Sequence, residues 1–89
     1  MIRHATLQDR FAVLRMQREF VDSLGLLPFD APYAERMTKE YILSPDRLCL
    51  VHVPKETPQG FLMAHCAPHP FWPVMVAQEL AWWVTPAYR

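Results

Sequence analysis

The sequence predicts an α+β fold: a mostly antiparallel sheet accompanied by two helices, in the order β-α-α-β-β-β. Three observations lead there. Residues 1–47 carry fourteen of the eighteen charged side chains, whereas Leu48 to Tyr88 hold only Lys55, Glu56 and Glu79. Within the charged part, apolar residues recur at helical spacing. The remainder divides at prolines into three apolar stretches, 46–53, 59–67 and 74–85, each long enough for a strand.

The elements follow in chain order. Residues 2–5 suit a short first strand. Thr6 then offers an N-cap, with Asp9 three residues on in a capping-box position. Beyond it Leu7, Phe11, Leu14 and Val21 share one stripe, and Val13, Met16, Phe20 and Leu24 an adjoining one. Arg15, Arg18, Glu19 and Asp22 are expected to face solvent. Gly25 stands where a left-handed C-terminal cap belongs. Asp30 followed by Ala31-Pro32 starts a second helix, since proline is tolerated in a first turn. Tyr33, Met37, Tyr41 and Ile42 are its expected inner face, and Ser44-Pro45-Asp46 its end.

Arg47 to Val53 reads as a buried-type strand, 54–59 as a polar turn, and Gly60 to Ala67 as the returning strand. A proline-bounded aromatic loop, 68–73, leads into a long last strand through Val84. These last three strands are apolar on both faces, as in a sheet covered on each side. Two helices do not readily cover both, so something else is expected to.

A chain of 89 residues is at most one small domain, 1–89, and buries only about 60–65% of the surface its unfolded form exposes. With 52% hydrophobic and 20% charged residues it has the composition of a folded protein. Its formal net charge of zero argues against a nucleic-acid footprint or an anionic membrane surface, and leaves little protection against self-association. Two cysteines, Cys49 and Cys66, make no disulfide framework. No signal-peptide pattern opens the chain and no apolar run reaches membrane-spanning length. A cytoplasmic protein with reduced thiols is the expectation.

Glu79 is the most informative residue. It is the only charged side chain from Thr57 to Tyr88, and it lies inside an apolar strand. A carboxylate there is paired, exposed at an edge, or held for chemistry as a general base; a solvated or hydrogen-bonded strand glutamate is the plainer reading. Trp82 and Trp83 must project to opposite faces, one into the core with the helices and the other free to line a groove. His65, Cys66 and His69 match no standard zinc spacing, and no metal site is expected. No cysteine has the context of an activated nucleophile. The aromatic loop suits either the wall of a binding site or a hydrophobic plug under the sheet. Only two glycines occur, Gly25 and Gly60, whereas loops that wrap phosphates usually need several together.

Val84-Thr85-Pro86-Ala87-Tyr88-Arg89 resembles the segment that closes the fourth strand of GNAT acetyltransferases, V-x-P-x-[YH]-[RQ]. Ile2-Arg3-x-Ala5-Thr6 with Asp9 resembles that family's opening, Gly60-Phe61 the start of its third strand, and Glu79 to Val84 its fourth. The resemblance spans the chain in order. It implies a GNAT-like half-fold lacking the C-terminal half, and transfer of an acetyl group from acetyl-CoA to a primary amine. Backbone groups of Trp82, Trp83 and Val84 would then pair with the pantetheine arm and polarise the thioester. Arg89 would be the first residue of the R/Q-x-x-G-x-G/A motif that holds the pyrophosphate, and Glu79 matches the place where some members put a general base. The rest of the glycine motif does not occur here, so little catalysis is expected of these residues alone. A complementary C-terminal half or a second copy is the expected partner. The alternative is a non-catalytic interaction module that assembles through its apolar sheet.

Overall fold

In the computed structural model, which describes all of residues 1–89, the order is β1 (Ile2–His4), α1 (Arg10–Leu24), α2 (Ala31–Leu43), β2 (Arg47–His52), β3 (Gly60–Pro68) and β4 (Met75–Val84). The four strands form one antiparallel sheet in the order β1-β2-β3-β4. This is the expected α+β arrangement. A single 3-10 turn, Leu7–Asp9, precedes α1.

That turn is shaped by Asp9. Its carboxylate accepts from the Thr6 backbone N–H at 2.8 Å and from both Arg3 terminal nitrogens at 2.7 and 3.1 Å. One buried carboxylate thus ties β1 to the start of α1. Two hydrogen bonds from a planar guanidinium fix the approach angle as well as the distance. Gly25 closes α1 at φ 64°, a conformation costly for any residue with a Cβ. Asp30 caps α2 by accepting from Tyr33 N at 3.0 Å.

Both helices lie against one face of the sheet. Val13 and Met16 of α1 meet Cys49, Val51, Phe61 and Met63, with Ala81 and Trp83 packed beside them. Only 13 of 89 residues are buried, so there is a single core between two layers. Alternation places Leu50, Leu62, Trp82 and Val84 on the other face, which no element of the chain covers. The cover expected for both faces is therefore present on one only.

Three expectations about the helices need correction. Phe11 and Leu24 are exposed: the core is met by the stripe through Val13, Met16 and Phe20, and Phe11 lies under the Arg10 guanidinium instead. On α2, Tyr33 is exposed while Thr38 is fully buried. The Thr38 hydroxyl donates to Ala34 O at 2.7 Å and accepts from Gln17 Nε2 at 2.8 Å, so a satisfied polar group holds the helices together where an apolar one was expected. Glu19 reaches the Trp83 indole on the sheet while about a third of its side chain stays exposed. Of the two readings of the aromatic loop, exposure rules out the plug: Phe71 and Trp72 are 79% and 62% exposed, and their rings meet His69 and each other.

One irregularity positions everything that follows. Met63 pairs with Ala81, but the next residue, Ala64, pairs with Glu79. Leu80 is therefore the extra residue of a β-bulge. Counting back from Trp83 in strict alternation, Glu79 would share the helix-covered face. The bulge places it opposite Ala64, on the uncovered face.

Candidate functional site

The site is built on β4. This strand pairs with β3 alone, so its second edge carries N–H and C=O groups with no partner strand. Such an edge readily accepts an extended segment. An open cleft of about 880 Å³ runs along it, and Glu79, Trp82, Trp83, Val84 and Arg89 all line that cleft. The five residues to which the resemblance gave a site role thus line one cleft, whereas His65, Cys66, His69 and the aromatic loop do not.

Their individual settings differ. Trp83 enters the helix side, its ring edge-on to Phe20 at 6.0 Å between centroids. Its Nε1–H donates to Glu19 Oε2 at 3.1 Å, and Glu19 Oε1 in turn accepts from Arg15 at 2.9 Å. Trp82 lies on the uncovered face and is 58% exposed. Arg89 folds back after a 3-10 turn, Pro86–Tyr88. Its guanidinium stacks over the Trp83 ring at 4.4 Å, and its Nε donates to Val84 O at 2.9 Å. It occupies the end of the free edge. Glu79 is exposed, and its carboxylate takes part in no hydrogen bond or ion pair.

Gly60 lies opposite Val84. A Cβ there would stand 3.3 Å from the His52 Cβ and 3.4 Å from Trp83 O, so a glycine permits this close approach. Nearby, His52 Nδ1 and Thr85 Oγ1 are buried without a hydrogen-bond partner, and of the two only His52 lines the cleft. The structure gathers no His, Cys, Asp or Glu cluster suited to a metal ion. Cys49 is buried, and burial pushes its thiol up to about 12, which removes it as a nucleophile at neutral pH.

Sequence reasoning gave no site role to Leu80 or Phe20, which line the cleft, nor to Glu19, which holds the Trp83 ring. The bulge at Leu80 had no local signal, since an apolar residue in an apolar strand is what alternation allows. Glu19 was assigned to solvent by its charge, although its neighbour Phe20 belongs to the inner stripe.

Over its whole length the chain superposes on a possible acetyltransferase from Clostridium difficile 630, with a TM-score of 0.90, 13% identity and 59% of that chain covered. It superposes equally completely on a ribosomal-protein-alanine N-acetyltransferase from Brucella melitensis (TM-score 0.78, 18% identity, 59% covered). A GNAT family acetyltransferase from Staphylococcus aureus gives a TM-score of 0.76 at 15% identity, with 64% covered. This is a half-length GNAT-like fold.

The chain spans about three-fifths of the length of these solved structures. No protein-family profile and no curated protein sequence matches it, and at these identities the likeness establishes the fold. No helix is long and apolar enough to cross a membrane. Within the GNAT-like fold, the free edge of β4 and the uncovered sheet face are the surfaces left open.

Proposed function

We propose that residues 1–89 supply the acyl-donor edge of an N-acyltransferase that passes an acetyl group from acetyl-CoA to a primary amine. The observation that carries this reading is the unpaired edge of β4, interrupted by the bulge at Leu80 and set in a cleft that also holds Glu79.

In the transfer, the amine nitrogen bonds to the thioester carbonyl carbon and the carbonyl π pair moves onto oxygen. Collapse of that tetrahedral intermediate breaks the C–S bond; the thiolate leaves and takes up a proton as the nitrogen gives one up. Free backbone N–H groups beside the bulge donate to the oxygen as its negative charge grows, the role of an oxyanion hole. The strand edge at Trp82 and Val84, whose N–H and C=O groups face away from β3, pairs with the amides of the pantetheine arm, while the Trp83 backbone, directed at Phe61 of β3, holds the edge in place. Glu79 is the carboxylate in the cleft, and it accepts the proton of the amine directly or through water. Arg89, at the end of the edge, has the charge for the pyrophosphate once it leaves the Trp83 ring.

Clustered glycines suited to wrapping that pyrophosphate do not occur among residues 1–89. Further phosphate contacts come from residues outside them, in a complementary C-terminal segment or a second copy added against the uncovered sheet face.

The test uses S-acetyl-pantetheine, which carries the thioester and the amides but no pyrophosphate. Titrated into the ¹⁵N-labelled chain, it is expected to shift the backbone amides of Leu80 to Val84. A folded sample whose β4 amides stay in place at millimolar thioester overturns the reading, and leaves the open sheet as a protein-docking surface only.

A further inference from the structure

A second groove, of about 370 Å³, lies on the helix side between α1, α2 and the sheet. Phe20, Leu27, Phe29, Tyr33 and Met37 supply much of its wall. Its lining reaches the sheet at Phe61, Met63 and Ala81. Phe20 and Ala81 also line the cleft along β4. The two cavities therefore share a wall at Ala81, the residue that follows the bulge.

The polar character of the groove is sparse and one-sided. Gln17 spends its amide nitrogen on Thr38 Oγ1 and Met63 Sδ. Asp30 is the only lining residue that carries a charge, and its Oδ1 is used to cap α2. Nothing cationic lines the groove, and no second carboxylate is present to pair with a second ammonium. Desolvating an unpaired charge in such a place is strongly unfavourable.

We infer that this groove is the acceptor site, and that the acceptor is a primary amine on an aromatic or branched aliphatic skeleton with no second charged group. The inference rests on the acyl-transfer reading above and names the substrate class for it. The apolar skeleton fills the space under Phe20, Phe29 and Met37, and the amine points past Ala81 to the bulged edge. Apolar burial supplies the affinity. The lone carboxylate of Asp30 favours a cation at the mouth over an anion. Diamines, polyamines and amino-acid zwitterions are disfavoured because each must bring a further charge into the groove.

The experiment is an NMR titration of the ¹⁵N-labelled chain, without thioester, against 2-phenylethylamine, 1,4-diaminobutane and phenylalanine. Phenylethylamine is expected to shift the amides of Phe20, Met37 and Ala81. The diamine and the amino acid are expected to bind weaker by about a hundredfold. Leu27→Arg adds a like charge at an exposed rim position, 77% accessible, and is expected to weaken phenylethylamine binding about tenfold while the chain stays folded.

Equal shifts from the diamine, or none from phenylethylamine, overturn the inference. The S-acetyl-pantetheine titration separates the two claims. Shifts on β4 with the thioester but none in the groove with the amine sink this inference and leave acyl transfer standing. Groove shifts with a silent β4 sustain the amine site and overturn the transfer.

Discussion

Trp83 donates its indole N–H to Glu19 Oε2 at 3.1 Å, joining the end of β4 to the middle of α1 across 64 residues of sequence. The ring is then fixed on three sides: Glu19 at its nitrogen, Phe20 at its edge and the Arg89 guanidinium over its face. The residues on either side of this ring, Trp82 and Val84, present the free edge proposed to bind the acyl donor.

Glu19→Ala and Trp83→Phe are each expected to lower unfolding free energy, the first by about 1 kcal/mol. Glu19 keeps about a third of its side chain exposed, so water screens part of the charge-assisted bond. The double variant should cost less than the sum of the two, by about 0.5–1 kcal/mol. Urea melts of the four proteins measure this, and strict additivity would refute the coupling.

Asp9 predicts how the fold responds to acid. The hydrogen bonds from Arg3 hold its carboxyl below the usual carboxylate range; the Thr6 backbone N–H helps and burial opposes. A group whose folded pKa is depressed stabilises the fold fully above its unfolded pKa, about 3.9. That stability is lost as pH falls through the folded value. Urea midpoints should therefore hold steady down to about pH 5 and fall below about pH 4. Asp9→Asn should flatten the fall, and an equally steep loss in that variant would count against Asp9 as its source.

The thiols should separate sharply. With Cys49 raised to about 12 by burial and Cys66 half-buried near the end of β3, Ellman's reagent at neutral pH is expected to find Cys66 first. Cys49 should react only at the rate of unfolding. Rapid modification of Cys49 in a Cys66→Ser variant would show that the core opens far more readily than this packing implies.

Glu79 offers a separation of structure from chemistry. It is exposed and forms no hydrogen bond, so Glu79→Gln should leave stability within about 0.5 kcal/mol of the parent. In an assembled, active enzyme the same change should slow acetyl transfer by about a hundredfold or more, the usual contribution of a general base. Release of free CoA thiol, followed against pH, provides the measurement. An unchanged rate would return Glu79 to the plain status of a solvated strand carboxylate.

Much of this was legible in the chain itself. Gly25, Asp30 and the Thr6–Asp9 pair mark helix ends because their side chains, or the lack of one, satisfy backbone groups within a few residues. The prolines stand at or beside the ends of β2, β3 and β4, because a residue without an N–H cannot carry the ladder onward; Pro68 is the last paired residue of β3. The opposition of Trp82 and Trp83 follows from alternation alone. All of these are local effects, decided within one turn or one strand.

What remained hidden depends on partners far away in sequence. The solvent face assigned to Glu19 and the inner face assigned to Tyr33 followed from side-chain type. A charged group goes inward when a distant donor such as the Trp83 indole meets it, and a threonine when an amide donor such as Gln17 Nε2 meets its hydroxyl.

The sequence by itself determined the element order, the helix limits and the strand that carries the site. Only the tertiary structure decided the bulge at Leu80, and with it the face on which Glu79 stands. The physical reason is that strand alternation is a rule of period two. A single extra residue reverses it, and whether one is inserted is settled by how β4 pairs with β3, not by β4 alone.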